Sequence, residues 1–81
     1  MKNKKPDIEK RLLALDREMK NRGYSVVVGE DNVRTYYGYR AAIIFTPDID
    51  NHNLHLDIQN KGKNFKRITD ACEIIFRYYR T

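Results

Sequence analysis

The chain has 81 residues, enough for one domain and too few to enclose a deep pocket. Its 41% hydrophobic and 33% charged residues are a globular balance and exclude a disordered chain. Net charge is +5, a basic balance that favours polyanionic or acidic partners, or simply keeps a small protein in solution.

"MKNKK" at the start is polar and reads as a tail over residues 1–6. No apolar core of a signal peptide follows it, and no apolar run approaches the ~18 residues of a membrane span. A helix is expected over 7–22, with Asp7 as its cap and Ile8, Leu12, Leu15 and Met19 forming one apolar stripe. Gly23 stops it. Lys10, Arg17 and Lys20 share the opposite face with Leu13, interrupted by Glu9 and Asp16. Long cations on one helix face suit phosphate contacts, and they also suit plain solvation.

"YSVVVG" reads as a strand, and "GEDN" at 29–32 as a turn. Val33 to Thr46 is β-branched and aromatic throughout. It is read as one long strand with a bulge or bend at Gly38, ended by Pro47. On regular alternation Arg34, Tyr36 and Arg40 share one face, with Thr35, Tyr37 and Tyr39 on the other. Arg34, Tyr36 and Arg40 are assigned to an open, binding face, where Arg and Tyr hold phosphates, stack bases or anchor a protein. Tyr37 and Tyr39 are assigned to the edge of the core, and a bulge at Gly38 would invert the facing beyond it.

"TPDIDNHN" is a loop. Asp48, Asp50, His52 and His55 resemble the start of a calcium loop, but Asn53 and Gln59 stand where Gly and Glu are needed, so no metal is assigned. In "LHLDIQ", Leu54, Leu56 and Ile58 alternate with His55, Asp57 and Gln59, the pattern of a strand with one wet face. "NKGKN" is a loop with Asn64 as cap of a final helix over 65–80. Phe65, Ile68, Cys72, Ile75 and Tyr79 form its core stripe. Ala71, Ile74 and Tyr78 widen that stripe, and cover by the first helix explains them. Cys72 is the sole cysteine, which excludes an internal disulfide and fits a reducing, cytoplasmic location.

Charge is segregated along the chain. Residues 1–22 and 60–81 each carry +4, and residues 47–59 carry −3. Lys61, Lys63, Lys66 and Arg67 surround the start of the last helix, where free N–H groups and the helix dipole already attract anions. Cations there oppose the dipole, a mild cost that suggests a phosphate site.

The expected architecture is a single α+β domain, order α-β-β-β-α. A three-stranded antiparallel sheet carries two helices packed on one face. In this order, and in the spacing of Gly62, Asn64, Lys66, Ile68 and Cys72, the chain resembles the double-stranded RNA-binding domain. The resemblance implies a phosphate-contacting last helix. "GEDN" replaces that family's Gly-Pro-x-His loop, and Phe65 and Thr69 stand at lysine positions, so it remains a topological analogy. No nucleophile–base set or phosphate-cradling glycine loop points to catalysis, and no cofactor is implied.

The expected function is non-catalytic nucleic-acid binding, to duplex or single strand. Lys61, Lys63, Lys66 and Arg67 would contact phosphate, Lys10, Arg17 and Lys20 would extend the footprint, and Arg34, Tyr36 and Arg40 would form a second surface. The alternative is a protein-binding module, such as a phage or mobile-element inhibitor of a host nuclease or other host protein. It would use exposed Tyr36, Tyr39, Leu13, Ile74 or Tyr78. A homodimer through an edge strand or the last helix is a third reading.

Overall fold

The computed structural model describes residues 5–80. Its elements are α1 (Lys5–Asn21), β1 (Ser25–Val28), β2 (Arg34–Gly38), β3 (Ala41–Asp48), β4 (Asn53–Asn60) and α2 (Phe65–Arg80). The fold is α+β, with both helices packed on one face of an antiparallel sheet. The sheet has four strands in the order β1-β2-β3-β4, not the expected three.

The extra strand comes from the stretch read as one long strand. The chain reverses at Tyr39-Arg40, where both residues adopt positive φ (55° and 61°), as a two-residue hairpin turn requires. Neither residue is the Asn or Gly such a turn favours, so composition alone concealed it. Pairing is continuous from Arg34↔Phe45 to Gly38↔Ala41, so no bulge occurs at Gly38. The glycine has another cause: a Cβ there would lie 2.8 Å from the Tyr24 ring.

Pro47 lies inside β3 and does not end it. The Lys61 N–H donates to the Arg40 carbonyl at 2.9 Å, at the head of the β3–β4 ladder. By alternation, Ala42, Ile44, Thr46 and Asp48 bond to β4, and Pro47 turns its backbone towards β2. Pairing with β2 stops at Phe45, so the missing N–H costs nothing.

Helix α1 starts two residues earlier than expected, at Lys5. Pro6 then falls in the first turn, where proline is tolerated, and Asp7 falls inside the helix, not ahead of it. Of the expected tail, residues 1–4 lie outside the described residues. At the other end Gly23 (φ 99°) stops the helix, as its sequence suggests.

Leu12, Leu15 and Met19 of α1 pack with Ile68, Ala71, Ile74, Ile75 and Tyr79 of α2 over Tyr36, Ile43 and Phe45 of the sheet. Ala71 and Ile74 are buried, which accounts for the wide apolar arc of α2. Phe65, placed in the core stripe, is instead 67% exposed. Helices α1 and α2 run antiparallel, since the end of α1 and the start of α2 both meet the Tyr39-Arg40 turn. Among the described residues no helix is long and apolar enough to cross a membrane.

Candidate nucleic-acid interface

Arg34 and Tyr36 do share a face, but it is the core face. Arg34 is 3% exposed and Tyr36 fully buried, so their assignment to an open binding surface is corrected. The cause is Asp16, which α1 buries beside Leu12 and Leu15. A buried carboxylate requires partners. The Tyr36 hydroxyl donates to Asp16 Oδ1 at 2.7 Å, and Arg34 donates to Asp16 Oδ2 at 2.8 Å. Arg34 also donates to the carbonyls of Asn32 (3.2 Å) and Leu12 (3.3 Å). Burial, then the bond to Asp16 and its negative charge, pushes the Tyr36 hydroxyl far above the usual tyrosine range. The cluster joins α1 to the sheet and is closed to any partner.

Arg40 lies on neither sheet face. It sits in the β2–β3 turn, exposed, and makes no side-chain hydrogen bond or ion pair among the described residues. Tyr39 is anchored beside it. Its hydroxyl donates to the Arg22 carbonyl at 2.6 Å, and its ring meets Tyr24 edge-on at 5.2 Å. The Arg67 guanidinium covers the same ring at 4.4 Å, so Arg67 is engaged in stacking within the protein. Burial raises the Tyr24 hydroxyl above its ordinary range, with Tyr39 adding to the effect.

The turn docks on the loop before α2. Beyond the Lys61–Arg40 bond, a Cβ on Gly62 would lie 3.0 Å from the Tyr39 carbonyl oxygen. The Asn64 carbonyl accepts from the Ile68 N–H at 3.1 Å, the cap position expected, and its side-chain amide nitrogen lies 3.5 Å from the Tyr39 carbonyl oxygen. Thus Arg40, distant in sequence, joins the cluster of Lys61, Lys63 and Lys66, all exposed at one end of the molecule. Asp48 ends β3 and Asp50 lies in the turn beyond it, so these acids and the lysine cluster stand at opposite ends of the sheet.

The residue that sequence reasoning missed is Tyr37. It projects from the open sheet face and is 49% exposed. Its cross-strand neighbours are Ser25 on one side and Ala42, then Gln59, on the other. The small Ala42 leaves a shallow depression beside the ring. Tyr37, Gly38, Arg40, Ala41, Ala42, Gln59 and Lys61 line it. An aromatic face thus lies in one depression with two cations and one amide.

Lys10, Arg17 and Lys20 are exposed on α1 with Leu13. Asp16 does not interrupt them, because it points inward. They belong to the helix layer and do not meet the depression, which opens on the other side of the sheet. The residues expected for a protein partner are dispersed too: Tyr36 and Ile74 are buried, Tyr39 and Tyr78 half-buried, and Leu13 exposed. Among the described residues no cluster of three or more His, Cys, Asp or Glu could hold a metal ion. His52 lies in the β3–β4 turn (φ 53°) and His55 on the open face of β4.

No family model, curated protein or solved structure matches the chain. Function therefore rests on the residues themselves.

Proposed function

We propose that this domain binds single-stranded nucleic acid across the basic end of its open sheet face. One observation carries the reading: the exposed Tyr37 ring lines one depression with Ala42, Gln59 and the neighbouring cations Arg40 and Lys61. A base stacks on an aromatic face whatever its identity, and the cations beside the ring hold a neighbouring phosphate. The Gln59 amide offers a donor and an acceptor to a base edge. Lys63 and Lys66 extend the positive field along the approach.

The single strand is favoured over the duplex because the cations divide between two sides. Lys10, Arg17 and Lys20 lie on the helix layer, so one duplex cannot track them and stack on Tyr37 together. The fourth strand also departs from the element order on which the resemblance to the double-stranded RNA-binding domain rested.

Fluorescence anisotropy with labelled single-stranded and duplex oligonucleotides at low salt tests this. Single strands bind more tightly, and Tyr37→Ala weakens that binding by about tenfold or more, the loss of one stacked base. Tighter binding to duplex overturns the single-strand reading. No binding to either overturns nucleic-acid recognition and leaves the protein-binding alternative.

A further inference from the structure

Strand β4 forms a free edge of the sheet and is as long as β3, which it pairs on one side only. Long exposed edges invite pairing with another strand, and this one has no proline, lysine or bulge between Leu54 and Gln59, Asp57 being its one acid there. Since the backbone of Lys61 faces β3, alternation turns the N–H and C=O groups of Leu54, Leu56 and Ile58 outward, away from β3. Above this edge, on the helix side, Ile58 is 40% exposed, Phe65 67% and Phe76 42%. Phe65, Cys72 and Phe76 recur along the flank of α2 that lies away from α1.

The sequence of β4 selects the occupant. Antiparallel pairing of β4 with a second copy must keep like faces together, which leaves few registers. Centred on His55, it sets the two imidazoles opposite each other. Centred on Asp57, it sets two carboxylates opposite each other. Centred on Leu56, it sets His55 opposite Asp57 of the second copy, twice by symmetry, on the open face. That register also pairs Leu54 with Ile58 of the second copy on the helix side. It places the outward-facing backbone groups of Leu56 and Ile58 in hydrogen-bonded pairs, and those of Leu54 once its N–H leaves Asn53 Oδ1, which holds it at 2.9 Å. His55 and Asp57 then occupy non-hydrogen-bonded positions, where side chains approach most closely. All three registers pair outward-facing apolar residues, and the juxtaposition of His55 with Asp57 singles out this one.

We infer that the protein forms a two-fold symmetric dimer through β4, centred on Leu56, with one antiparallel sheet continuous across both copies. The interface is isologous, the same surface on each copy. Ile58, Phe65 and Phe76 become covered as the α2 flanks meet. The open faces coincide, so both Tyr37 rings lie on one side of the joined sheet. The inference does not depend on what that face binds.

Sedimentation velocity at two concentrations tests it, read against the chain mass of 9.7 kDa. The wild-type chain sediments as a dimer. His55→Asp sets Asp against Asp at both symmetric positions and weakens the dimer by about tenfold. The double variant His55→Asp/Asp57→His reverses each pair and restores it. Both positions are exposed on the open face, so circular dichroism stays unchanged in either variant. Ile58→Glu abolishes the dimer. A wild-type monomer at both concentrations overturns the inference. So does a dimer that His55→Asp and Ile58→Glu leave intact, since it must use another surface.

Discussion

The Tyr36 hydroxyl donates to the Asp16 carboxylate at 2.7 Å, across the boundary between the sheet and α1. Asp16 accepts from Arg34 as well, so one carboxylate holds two buried groups in place. Removing it strands a buried guanidinium. Asp16→Ala is expected to cost about 3–5 kcal/mol, a large part of a small domain's stability. The apolar replacement Asp16→Leu/Arg34→Met/Tyr36→Phe, which removes both charges and the hydroxyl that would lose its acceptor, recovers most of that loss. Urea unfolding followed by circular dichroism measures both.

The same cluster sets the alkaline limit. Tyr36 has its folded pKa raised, while in the unfolded chain it titrates near the ordinary tyrosine value of 10.0. Below that pH both states hold the proton and stability is unaffected. Above it the unfolded chain releases the proton and the folded one does not. Stability therefore falls with rising pH, by about 1.4 kcal/mol per unit from this group. Tyr36→Phe removes that slope at the cost of one bond to Asp16. Urea midpoints across the alkaline range separate the two effects.

Much of this was legible in the chain, and the failures have physical causes. Both helices follow from apolar spacing, and the wet face of β4 follows from its alternation. The pairing of Arg34 with Tyr36 and of Thr35 with Tyr37 on common faces was also readable. Which face was inward was not, because Arg looks like a surface residue and Tyr suits either side. The decisive clue lay elsewhere in the chain: Asp16 falls within the stripe of Leu12, Leu15 and Met19, and a buried acid demands a buried donor. The hairpin turn was hidden because Tyr39 and Arg40 are poor residues for positive φ. Tertiary contacts hold Tyr39 there, and no sequence window contains them.

The Arg40 carbonyl accepts from the Lys61 N–H, but its side chain has no such anchor, which makes the choice of Arg here a test of purpose. A non-glycine residue at φ 61° costs about 1–2 kcal/mol relative to a relaxed backbone. The turn itself requires positive φ here, so the strain comes from carrying Arg where Gly or Asn would sit without cost. Arg40→Gly is expected to raise stability by up to about 1 kcal/mol and, at the same time, to weaken nucleic-acid binding. Thermal unfolding and anisotropy on one preparation give both values. Stability gained with binding unchanged would assign Arg40 no role.

Salt dependence separates the cations at the depression from those on α1. Each phosphate contact to a single strand contributes about −0.7 to the slope of log K against log salt. Lys61→Ala and Arg40→Ala each flatten the slope by about that amount. Lys10→Ala/Arg17→Ala leaves it unchanged, because those side chains lie on the helix layer, across the sheet from Tyr37. Tyr37→Ala weakens binding at every salt concentration without altering the slope, since stacking releases no counterions. If the α1 double variant flattens the slope and Lys61→Ala does not, the nucleic acid lies on the helix side and the open-face site is wrong.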